Sequence, residues 1–69
     1  MVEAVKSREN WAAQLRAERA RLDLTQTQVA EQAGVIQVAV SRAEDGQGSD
    51  DVFHRIAAVL DVELERTQP

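Results

Sequence analysis

The sequence predicts an all-α fold, a compact bundle of four to five helices in a single domain over residues 1–69. Three observations predict it. Ala, Val, Leu and Ile must fill the interior, because the chain carries one Trp, one Phe and no Tyr, and the residues between them are largely good helix formers. Proline occurs only at the last position, so no helix is broken from within. Gly34 and the run Asp45-Gly46-Gln47-Gly48 divide the chain into segments whose apolar residues recur at helical spacing. A chain this short buries only about 60% of the surface it exposes when unfolded, so its stability is expected to be thin.

The first helix is expected over residues 8–22, capped by Ser7, with Trp11, Leu15 and Leu22 on one stripe. Glu9 near its start and Arg16, Arg19 and Arg21 in its second half suit the helix dipole, and Arg16 and Arg21 read equally well as a solvated face. In TQTQVAEQAG, Thr25 is a natural amino-terminal cap, Val29, Ala30 and Ala33 share a face, and Gly34 ends the helix. Two short helices joined across such a glycine corner have helix-turn-helix geometry.

Residues 36–44, IQVAVSRAE, divide by propensity between strand and helix, because Val35, Ile36, Val38 and Val40 are β-branched. The flanking turns, and Val40 with Ala43 three positions on, favour helix. Ser49 followed by Asp50 and Asp51 opens a fourth helix, whose apolar face is Val52, Phe53, Ile56, Ala57, Val59 and Leu60. Beyond it Leu64 either folds back on the core or supports a short fifth helix. A leader over 1–6 and a tail over 65–69 are expected to be flexible, although Val2 and Val5 also suit an extension of the first helix or a contact with a partner chain.

The formal charge of −4 and a sequence pI near 4.8 argue against a protein that coats nucleic acid through bulk electrostatics; a positive contacting face is a separate matter. With no cysteine and a lone His54, neither a disulfide nor a metal site is expected, and no cofactor. The longest apolar run, residues 57–60, cannot span a bilayer, and no signal peptide is apparent, so a soluble cytoplasmic protein without a membrane partner is expected. No nucleophile sits with a base; Asp50, Asp51 and His54 read as helix-end charge, and Trp11 and Phe53 as core anchors. No catalytic residue and no enzyme are expected.

The stretch LTQTQVAEQAGVIQVAVSRAEDG resembles the helix-turn-helix of the phage-repressor, Cro and Xre-like family. Thr25, Gln26, Val29-Ala30, Ala33-Gly34, Val35, Val40, Ser41, Arg42, Glu44 and Gly46 hold the places of that pattern, and FHRIAAVLDVEL resembles the family's fourth helix. The resemblance implies a lambda-repressor-like bundle. It also implies sequence-specific binding of double-stranded DNA, as a transcriptional regulator, a repressor, acting as a homodimer on an inverted repeat. Carried onto this chain, the base-reading places are Gln37, Val38, Ser41 and Arg42, and the DNA-backbone places are Thr25, Gln26 and Ile36. Arg19 and Glu44 fall where the family has a structural ion pair. Gln37 suits an adenine edge and Arg42 a guanine or a phosphate. Ile36 and Val38 depart from the polar residues usual there and suit a thymine methyl or the exclusion of water.

The competing reading is a protein-binding module of the same fold, an antitoxin or antirepressor component, with the apolar third helix as its contact surface. The charges over residues 24–48 support it, since Arg42 stands against Glu31, Glu44 and Asp45.

Overall fold

The computed structural model describes residues 3–64, with side chains from Arg8 onward. It contains α1 (Glu3–Arg21), α2 (Gln26–Ala33), α3 (Gln37–Glu44) and α4 (Asp50–Leu60), and no strand among the described residues. The expected tail over 65–69 lies outside the described residues, and so does the part of the leader before Glu3.

α1 begins well before the expected start. Glu3, Ala4 and Lys6 are good helix formers and nothing upstream of Arg8 stops them, so Ser7 lies within the helix rather than capping it, and Glu9 sits two turns in. Leu22 also departs from the expected stripe. The helix ends at Arg21, and Leu22 in the following turn is 40% exposed, while Leu15 and Ala12 carry the buried face.

α2 starts at a reciprocal cap. The Gln28 N–H donates to the Thr25 hydroxyl at 3.0 Å, and the Thr25 N–H donates to Gln28 Oε1 at 2.8 Å. It ends at Gly34, in the left-handed region at φ 73, and the N–H groups of Gly34 and Val35 both turn back to the Ala30 carbonyl. Three residues later α3 begins, with Ile36 in extended conformation as its cap and no side chain closing it.

Three β-branched residues, with Val35 just before them, do not make residues 36–44 a strand. Val40 and Ala43 are wholly buried, and burial of that face outweighs a propensity difference of a few tenths of a kcal/mol per residue. Ser49 caps α4, accepting from the Val52 N–H at 3.3 Å. The helix buries Phe53, Ile56, Ala57 and Leu60, and Asp61 at φ 59 closes it.

α1 and α2 each pack on both α3 and α4. The core where they meet is Leu15, Val29, Val40, Phe53, Ile56 and Leu60, all fully buried. Trp11 roofs it, its ring edge-on to Phe53 at 5.4 Å and to His54 at 5.5 Å. Leu64 folds back and packs half-buried against this core, and the Gln14 amide donates to the Glu63 carbonyl at 2.9 Å. Arg8 fastens α1 to the α3–α4 link. Its guanidinium donates to the Gly48 carbonyl, pairs with Asp50 at 2.6 Å and lies over the Phe53 ring.

Candidate nucleic-acid interface

α3 has two faces. Val40, Ala43 and Glu44 point into the molecule, and Gln37, Val38, Ser41 and Arg42, one and four positions from one another along the helix, form the outer stripe. Gln37, Val38 and Arg42 are exposed and Ser41 is half-buried. The carbonyl of Arg42 accepts from the Asp45 and Gln47 N–H groups in the turn that follows, but its guanidinium makes no hydrogen bond or ion pair with any other described residue, the carboxylates of Glu31 and Asp45 included. Ile36, at the helix entrance, is 71% exposed and Val38 47%.

The start of α2 lies beside this stripe. The first intrahelical bond of α2 runs from the Val29 N–H to the Thr25 carbonyl, which leaves the N–H groups of Gln26 and Thr27 outside the helical ladder, at its positive end. The Thr25 oxygen accepts the cap bond, and its hydroxyl hydrogen remains to be donated.

Behind both elements runs a connected polar network. Arg19 grips Glu44 with two nitrogens, Nε to Oε2 at 2.5 Å and Nη2 to Oε1 at 3.1 Å, and its Nη1 donates to the Leu24 carbonyl at 2.9 Å. Gln26 Nε2 donates to Glu44 Oε1 at 3.0 Å, and Gln37 Nε2 donates to Gln26 Oε1 at 2.5 Å. Arg16 adds a bond to the Glu44 carbonyl at the carboxyl end of α3, where a cation also suits the helix dipole. Glu44 is buried yet fully partnered; no buried side-chain nitrogen or oxygen among the described residues lacks a hydrogen bond.

The bond to Glu44 raises the Arg19 guanidinium above its ordinary value, against the lowering effect of burial and with the attraction of the carboxylate. A basic group so raised loses its contribution only as pH climbs through the raised value, so Arg19 stays charged through the whole neutral range.

The structure thus brings Arg19, Gln26, Gln37 and Glu44 into one chain of contacts and leaves Val38, Arg42 and Ile36 presented outward. Besides the bonds of Gln26 to Glu44 and Gln37, three contributions escaped sequence reasoning. Gln28 as the reciprocal cap partner was detectable, since a hydroxyl followed three residues later by Gln is a capping signature. The contacts of Arg8 and of Arg16 with backbone carbonyls 40 and 28 residues away carry no local signal. Among the described residues no cluster of His, Cys, Asp or Glu is suited to a metal, and no helix is long and apolar enough to cross a membrane.

Two short helices crossing at a left-handed glycine, the second with a polar and aliphatic outer stripe and both held on a small helical core, make a helix-turn-helix unit, a class of DNA-binding module. A family model described as a helix-turn-helix domain matches residues 12–68, and the chain belongs to that family. The match agrees with the Cro and Xre-like pattern of its motif. Domains of this family typically bind DNA and are not enzymes. No curated protein and no solved structure matches the chain.

Proposed function

We propose that this domain is a transcriptional repressor that reads double-stranded DNA by laying α3 in the major groove, as a homodimer on an inverted repeat, in the cytoplasm. One observation carries the reading: the outward stripe of α3 pairs an amide at its amino end with a guanidinium, at Arg42, that no other described residue engages. The major groove admits a helix and displays donors and acceptors that distinguish every base pair. Gln37 takes the adenine edge, and Arg42 takes a guanine or a phosphate. Val38 and Ile36 meet thymine methyls, with Ile36 also against the sugar-phosphate backbone, and Ser41 completes the stripe. The Thr25 hydroxyl, the second N–H of Gln26 and the free backbone N–H groups of α2 hold a phosphate. Two such domains bound about one helical turn apart account for useful affinity from a unit that has little positive charge.

Gel shifts against random and selected palindromic duplexes over a salt series test this. Binding is expected to fall steeply with salt, with a slope of about −0.9 per phosphate neutralised. Arg42→Ala is expected to cut affinity at least several-fold. A loss shared by all sequences marks a phosphate contact and a loss at one position marks a base contact.

The exposure of Ile36 and Val38 favours one other reading, a protein partner that covers this apolar patch. In that case Arg42→Ala and salt leave function intact, while Val38→Ser releases a co-purifying partner.

A further inference from the structure

We infer that Asp45 is a specificity-determining residue, whose carboxylate takes the amino group of a cytosine in the major groove and repels a duplex that offers none there. The inference rests on α3 lying in that groove, as proposed above.

Asp45 stands three positions after Arg42 and seven after Val38, so it prolongs the outer stripe of α3 by one turn, and it is exposed. Its backbone is held. The Asp45 and Gln47 N–H groups donate to the Arg42 carbonyl at 3.0 and 2.9 Å, and the Gly46 N–H donates to the Ala43 carbonyl at 3.0 Å. Arg8 holds the Gly48 carbonyl, and a Cβ on Gly46 would lie 3.9 Å from the Arg8 carbonyl oxygen, so the link that bears Asp45 is seated on α1. Its carboxylate has no use within the molecule. It makes no hydrogen bond or ion pair with any other described residue, Arg42 included, whereas the nearby acids Asp50 and Asp51 are taken by Arg8 and Arg55. It also stands at the carboxyl end of α3, where the helix dipole disfavours an anion.

The major groove is about 12 Å wide, so a group on the outer stripe lies within about one Debye length of a phosphate wall. A carboxylate there is repelled unless a base answers it. It accepts hydrogen bonds and cannot donate them, and the base edges differ in what they return. Guanine and thymine show it acceptors, adenine shows an amino group beside its N7 acceptor, and cytosine alone shows an amino group with no acceptor of its own.

A duplex library with a randomised core is bound by the wild type, by Asp45→Ala, by Asp45→Asn and by Gln37→Met, and the recovered sequences are compared. Affinity for random duplex is measured over a salt series, and folding by circular dichroism melts. The wild type is expected to enrich cytosine at one position by about tenfold. Asp45→Ala should lose that preference, leave the other positions unchanged and melt no earlier than the wild type. It should also bind random duplex about threefold more tightly at low salt, a gain that fades as salt screens the charge. Asp45→Asn, which adds two donors, should admit guanine and thymine at the same position. The inference is overturned if Asp45→Ala keeps every preference, or if preference falls evenly over the site together with an earlier melt, the mark of a structural role. In either case a Gln37→Met variant that loses preference at a position of its own leaves the DNA reading standing and this inference alone refuted. A wild type that enriches no sequence overturns both.

Discussion

At the scale of single residues, Gly34 and Glu44 show how differently two motif positions act. A Cβ on Gly34 would approach nothing closer than the tip of Arg55, at 4.0 Å. The cost of Gly34→Ala is thus the left-handed backbone itself, about 1 kcal/mol, and urea denaturation should show that loss with no change in the slope of the transition. The conformation of Gly34 was legible in the sequence, since a glycine between two short apolar-periodic segments has few other uses. Only the family resemblance brought Arg19 and Glu44 together, because a contact across 25 positions leaves no local trace. Nothing pointed to Gln26 joining them to Gln37, because a polar residue on a helix looks the same in sequence whether it faces water or another amide.

At the scale of elements, the ends of the helices rest on unequal caps. Thr25 and Gln28 satisfy one another's backbone in both directions, whereas Ser49 accepts a single longer bond. Thr25→Ala is therefore expected to cost about 1 kcal/mol and Ser49→Ala less, a difference that paired thermal melts resolve. Three of the four helix starts, the corner at Gly34 and the link over residues 45–48 could be read from composition and spacing, whereas the turn through Leu22 and Asp23 could not, since Leu22 fits the helical stripe. The exception was α1, whose start was set too late because a serine before a charged run imitates a cap. A helix with no stop upstream simply continues, and only the backbone reveals it.

At the scale of the whole molecule, one small core serves all four helices, so they stand or fall together. Phe53 is fully buried beneath Trp11, and Phe53→Ala is expected to cost about 3 to 5 kcal/mol. A domain of this length has roughly 3 to 10 kcal/mol to lose, so the far-ultraviolet helix signal of the variant should be largely absent or should melt far earlier. A last consequence follows from α1, which runs for 19 residues without interruption, about 28 Å at helical rise, and is anchored in the core at Leu15. Any polypeptide joined to it by a continued helix would be geared to the groove-facing helix rather than hung from it. Each inserted residue would swing that cargo by about 100° around the shaft, so spacer length would act as a compass setting for whatever the domain carries.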